Sequence, residues 1–151
     1  MPNNKRKIIN DPVFGFITIP SDLIYDLLQH SYLLRLTRIK QLGLTSYVYP
    51  GTQHTRFQHS LGALYLMTEA VSTLRSKGVE ITDDEADAVY AAILLHDVGH
   101  GPFSHTLENC FFPNISHEEL TIKICELLNE EMDGALNSTL DVLQDNHKKK
   151  F

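Results

Sequence analysis

Apolar positions along the 151-residue chain recur mostly at intervals of three and four, the spacing that lines one face of an α-helix; only the first stretch departs from it. There, Lys7-Ile8-Ile9-Asn10-Asp11 and Gly15-Phe16-Ile17-Thr18-Ile19 flank an Asp-Pro turn and predict two short β segments, a small flap rather than a sheet core. Pro20-Ser21-Asp22 then opens a helix with Leu23, Ile24, Leu27 and Leu28 inward. A second helix is expected from about Ser31 to Leu42, with Leu33, Leu34, Leu36 and Ile39 inward, Arg35, Arg38 and Lys40 largely elsewhere, and Gly43 as its stop. After the turn Tyr47-Val48-Tyr49-Pro50-Gly51, a third helix starts near His59 and carries the stripe Leu61, Leu64, Thr68, Val71 and Leu74 as far as Lys77-Gly78.

Two capping boxes punctuate the second half. Thr82-Asp83-Asp84-Glu85 starts a helix running from Asp83 to about Val98 that is apolar on nearly every side, the pattern of a central helix. Ser116-His117-Glu118-Glu119 opens another, with Leu120, Ile124, Leu127 and Leu128 on its inner stripe, and Leu140 to Phe151 is expected to form a last short helix. The pattern predicts an all-α fold: one domain over residues 1–151, with a β flap at 1–19 and helices from 20 to 151. A content of 42% hydrophobic and 21% charged residues suits one soluble domain with a real core. No apolar run approaches the roughly 20 residues that span a bilayer, and no signal-type stretch follows the basic start, so a cytoplasmic protein with no membrane partner is expected. Cys110 and Cys125 lack metal or redox spacing and are read as ordinary buried thiols.

The formal net charge of −6 argues against nucleic acid as the main partner. Its distribution adds a second fact. Between Asp26 and Glu69 there is no acidic residue, while Arg35, Arg38, Lys40, Arg56, His30, His54 and His59 all fall there. Such segregation fits either a local positive wall beside an anionic ligand or a solvated basic face.

The chemistry concentrates in His96-Asp97-Val98-Gly99-His100-Gly101-Pro102-Phe103-Ser104-His105. A buried helix that ends in an imidazole beside a carboxylate must find both a polar partner. A divalent cation is one such partner, since both groups are ordinary ligands for it; a hydrogen-bonded His-Asp pair at a helix end is the other. Arg56 and His59, three residues apart, would share a helix face and suggest cation and phosphate binding. His117, in a first helical turn, is either placed for an anion or a plain surface residue.

Four ordered motifs then carry a family likeness: Arg38-Ile39-Lys40-Gln41-Leu42-Gly43, Tyr49-Pro50-Gly51, Arg56-Phe57-Gln58-His59-Ser60-Leu61-Gly62 and the segment from His96 to His105. Together they resemble the HD-domain phosphohydrolase superfamily, most nearly the dNTP triphosphohydrolase branch related to the SAM-and-HD-domain proteins. The resemblance implies an HD-domain helical bundle and one divalent metal ion (Mn, Fe, Zn, Mg or Ni) held by His59, His96, Asp97 and a later Asp. Asp141 and Asp145 lie in the right direction, but their surroundings do not match that last motif, so the chain is expected to stop before it. By the same likeness, Arg56, His100, His105 and His117 handle phosphate, with the histidines as contacts or general acid and Glu108 standing where relatives orient a catalytic histidine. Gln41 and Leu42 match positions on the sugar side of the substrate pocket. The implied activity is hydrolysis of a nucleotide substrate, a dNTP giving nucleoside and triphosphate, by a homo-oligomer. The alternatives are another phosphoester, such as a cyclic or bis-phosphate nucleotide, and a module that binds metal, nucleotide or a protein partner without turnover. Purine-nucleotide activation is not expected, because Gln29, Leu34 and Thr37 stand where nucleotide contacts would be.

Overall fold

A computed structural model describes residues 7–103 and 116–148 of the chain. Within them lie a two-stranded antiparallel hairpin and six α-helices, the all-α architecture with a β flap that the apolar spacing predicts. Strands β1 (Ile8–Asp11) and β2 (Gly15–Thr18) pair Ile8 with Thr18 and Asp11 with Gly15. The Asp11 carboxylate closes the turn by accepting from the Val13 and Phe14 amides at 2.8 and 3.0 Å. Ile17 is buried, and the Phe14 ring lies 2.8 Å from where a Cβ on Gly62 would stand, so that glycine admits the flap against the helical body.

Helix α1 (Asp22–Gln29) is capped by the Ser21 hydroxyl and buries Ile24, Leu27 and Leu28. The next segment differs from expectation. Helix α2 covers only Ser31–Leu34, a 3-10 turn follows at Arg35–Arg38, and Ile39 is extended. Residues 39–41 instead pair with 54–56: Arg56 N–H donates to the Ile39 carbonyl at 2.8 Å and Gln41 N–H to the His54 carbonyl at 3.1 Å. The Thr37 hydroxyl also takes the Leu34 carbonyl at 2.6 Å, competing with helix continuation. As a result Leu36 and Ile39 are buried as expected, but Leu34 is exposed.

Helix α3 (Arg56–Ser76) starts on a capping box between Thr55 and Gln58 and buries Leu61, Leu64 and Val71, with Leu74 outward. Arg75, in its last turn, donates to the Ile81 and Thr82 carbonyls and pairs with Asp83 at 2.9 Å, joining α3 to the next helix. Helix α4 (Asp83–Leu95) begins at the Thr82–Glu85 box and ends three residues before the expected Val98. It packs against α1, α3 and the last helix, and so occupies the centre.

Helix α5 (His117–Glu131) is capped by Ser116, but its buried face is Thr121, Cys125 and Leu128; Leu120 and Leu127 are exposed, contrary to the expected stripe. The Thr121 hydroxyl is held inward by backbone groups of residues 96 and 99, which turns the helix about one position from the purely apolar solution. Helix α6 (Asn137–Lys148) begins three residues earlier than Leu140. Leu136 and Thr139 are buried at its start, where Asn129 accepts from the Leu136 amide at 2.7 Å.

Candidate metal centre

The Thr55–Gln58 box fixes the first turn of α3 and puts Arg56 and His59 on one face. The end of α4 supplies the facing groups: His96 closes the helix and Asp97 opens the turn after it. The His59 and His96 Nε2 atoms lie 3.3 Å apart. Asp97 reaches the same point, with Oδ1 at 3.4 Å from His96 and Oδ2 at 3.9 Å from His59. One ligand atom from each residue falls within 4.8 Å of the others, the metal-type cluster found among the described residues.

The donor set fits a cation. His96 Nδ1 sits 2.6 Å from the Ile93 carbonyl, so its proton belongs there and its Nε2 presents a lone pair to His59. A separation near 3.3 Å is the edge of a coordination shell with bonds of about 2.0–2.1 Å. Burial is the first cause that lowers the His59 pKa, followed by His96, which keeps the ring neutral. For Asp97, burial pushes the carboxyl up, but His96, His100, Arg56 and His59 outweigh it and hold it below the ordinary carboxylate range. Neutral imidazoles and an ionised carboxylate are the protonation states a divalent metal binds.

Around the three donors stand the other expected residues. Arg56, only 2% exposed, pairs with Asp97 Oδ2 at 2.7 Å. Buried His100 places Nε2 3.6 Å from Asp97 Oδ1, and its ring stacks on that of His117 at 3.9 Å and 15°. The structure thus brings His59, His96, Asp97, Arg56, His100 and His117 together. Gln41 and Leu42 lie on the separate segment paired with His54, Gln41 half-buried and Leu42 exposed. His105, Glu108 and Cys110 lie outside the described residues. Asp141 lines a cavity with Glu80, Asp84 and Glu85 at the opposite end of α4 from His96, about 17 Å along the helix axis at 1.5 Å per residue. It belongs to a different region from the histidines.

Sequence reasoning missed two participants. The charge pattern offers Arg35 either to a positive wall beside an anion or to a solvated basic face, yet its guanidinium donates to the carbonyls of Val98 and His100. Thr121 carries no motif, yet it binds the same turn from α5. The Thr55-Arg56-Phe57-Gln58 box was readable as a helix start and would have fixed His59 in the first turn.

Comparison with known proteins agrees with this arrangement. The HD domain family profile matches residues 56–150, from the start of α3 onward. The chain is 35% identical to the uncharacterised protein YwfO of Bacillus subtilis over 99% of its own length and 36% of that protein's. It is 43% identical to the deoxynucleoside triphosphate triphosphohydrolase SAMHD1 of Homo sapiens over 71% of this chain and 17% of that one. The crystal structure of a phosphohydrolase from Bacteroides thetaiotaomicron superimposes with a TM-score of 0.91 at 61% identity, covering 93% of this chain and 35% of that one. The helical bundle and its His, His-Asp site define an HD-type domain. The chain belongs to the HD-domain phosphohydrolase superfamily, and it spans roughly a third or less of the length of these relatives.

Proposed function

We propose that this domain is the metal-binding and phosphate-handling core of a dNTP triphosphohydrolase, working in the cytoplasm as part of a homo-oligomer. The observation that carries the reading is the convergence of His59 from α3 with His96 and Asp97 from the end of α4 within 4.8 Å. These three residues would hold one divalent ion (Mn, Fe, Zn, Mg or Ni), which when bound supplies Lewis acidity at a phosphate oxygen and a more acidic water. In the reaction, water oxygen bonds to the α-phosphorus and releases a proton to solvent, the P–O5′ bond breaks, and its electron pair passes to O5′. That oxygen takes its proton from an imidazole of the His100–His117 stack, histidine being the side chain most often used as a general acid. His105 and Glu108 belong to the same acid-base group. Arg56 joins His96 and His100 in keeping Asp97 ionised and adds positive charge where phosphate charge develops. Gln41 and Leu42 line the sugar side.

Triphosphate release from a dNTP with Mn2+ tests the reading, comparing the wild-type sequence with His96→Ala and Asp97→Ala. Loss of turnover by about a hundredfold or more is expected, since ligand removal takes away the whole metal contribution; unchanged turnover overturns the site. A second reading, binding without turnover, draws on the three protein donors among the described residues. Bound metal with no release would favour it, and release from a cyclic or bis-phosphate nucleotide alone would move the substrate.

A further inference from the structure

The turn that carries His96, Asp97 and His100 is held by hydrogen bonds of its own and by two side chains from outside it. Within it, Val98 N–H donates to the Leu95 carbonyl at 2.9 Å and His100 N–H to the Asp97 carbonyl at 3.1 Å. The carbonyls of His96, Val98 and His100 and the amide of Gly99 lie in a region where Val98, Gly99 and His100 are all buried and where backbone polar groups have to be satisfied. Two side chains from elements far away in sequence do this. Arg35, in the 3-10 turn after α2, donates to the Val98 carbonyl with one guanidinium nitrogen and to the His100 carbonyl with the other, the latter at 2.9 Å. Buried Thr121, on α5, accepts from the Gly99 amide at 3.0 Å and donates to the His96 carbonyl at 3.3 Å. The hydrogen bonds of both go to the backbone of the turn, whereas the three donors meet through the side chains of His59, His96 and Asp97.

We propose that Arg35 and Thr121 are positioning residues. Between them they clamp the backbone of residues 96–100 from two sides, and so aim the His96 and Asp97 side chains at His59. The inference rests on the metal-site reading above. A planar fork suits two carbonyls two residues apart, which an ammonium cannot bridge in the same way. A threonine hydroxyl acts as donor and acceptor at once, which valine of the same shape cannot do.

The test is a Co2+ titration of the 151-residue chain followed by the visible absorption of the bound ion, with the signal that survives in His96→Ala subtracted. Thr121→Val should weaken Co2+ binding about tenfold, the lower end of what loss of outer partners costs a metal site, and alter the band shape. Thr121→Ser, which restores the hydroxyl, should recover wild-type affinity. Arg35→Gln should match Thr121→Val, and Arg35→Lys should fall between. Unfolding midpoints recorded in parallel show that the titrations were made on folded protein. If Arg35→Gln does not fold, the Thr121→Val and Thr121→Ser pair carries the test alone. Equal Co2+ affinity and spectrum in wild type, Thr121→Val and Arg35→Gln overturns the clamp while leaving the metal site standing. Absence of any His96-dependent signal in the wild-type chain overturns the metal reading, and the clamp with it.

Discussion

Arg56 is nearly closed off from solvent and holds Asp97 at 2.7 Å, so a residue whose charge suggests a phosphate contact is first of all a counter-ion for a metal-type carboxylate. Removing one member of a buried pair leaves the other charge uncompensated and typically costs 3–5 kcal/mol; the neighbouring histidines offset part of that for Asp97. Arg56→Ala should therefore lose about 3 kcal/mol in urea unfolding without any metal or nucleotide present. A change within a few tenths of that zero would mean that Arg56 serves the ligand alone. Gly99 is constrained as strictly for a different reason: a Cβ there would overlap the His117 carbonyl oxygen and the Thr121 amide nitrogen, so Gly99→Ala should push α5 off the turn and cost about 2 kcal/mol in the same assay. His59, His96 and Asp97 were legible because their chemistry is in their identity and adjacency. Arg35 and Thr121 were not, because their partners are backbone groups at separations of 22 to 65 residues, and no sequence pattern marks which carbonyl needs a donor.

Helices α3 and α4 are the elements that present the site, and α4 is fixed at both ends by local chemistry. At its start Glu85 accepts from the Thr82 amide and hydroxyl at 2.8 and 2.9 Å, and those bonds, the backbone one first, hold its carboxyl below the ordinary 4.5. A carboxyl that is more acidic in the folded state binds protons less readily there than in the unfolded chain. Its contribution is therefore complete above pH 4.5 and fades as pH falls through the lower folded-state value. Thermal unfolding of wild type and Glu85→Gln across pH 7 to 3 should show a gap that closes in that window; a constant gap would mean the charge of Glu85 plays no part in the cap. Boxes of this kind are legible because donor and acceptor sit three residues apart. The stretch after α2 carries a helical pattern yet departs from it, because its real partner, residues 54–56, lies outside any local window. The inward face of α5 was misread because apolar periodicity counts Thr121 as polar, whereas here its hydroxyl is what fixes the rotation of the helix.

At the scale of the molecule, the site is a seam between two long helices that share an apolar core and are tied at the far end by Arg75 and Asp83. Leu61 and Leu64 of α3 and Leu94, Leu95 and Val98 at the end of α4 join one buried cluster, while His59 and His96 meet at its rim with their Nε2 atoms 3.3 Å apart. No more than one proton can lie between two such nitrogens, and lone pairs left facing each other favour separation. Lowering of the His59 pKa by burial and by His96 shows the same pressure, since a second positive charge is unwelcome there. A divalent cation relieves it and ties α3 to α4, so metal binding and global stability should be linked. A ligand that binds only the folded state adds about 2.7 kcal/mol at one hundred times its Kd, or about 5 to 10 °C for a domain of this size. The unfolding midpoint should rise by that amount when Mn2+ replaces EDTA, and His59→Ala should abolish the rise. The metal-free midpoint of that variant should stay near wild type, because the His59 side chain is 41% exposed and leaves no cavity. The gain should shrink as pH falls and protons compete with the metal, and the lowered His59 pKa, from burial first and His96 second, moves the share of that loss due to His59 below the range of an ordinary histidine. Equal midpoints with Mn2+ and with EDTA would show that α3 and α4 are held by their own protein contacts alone, and would take the cation out of the account of this site.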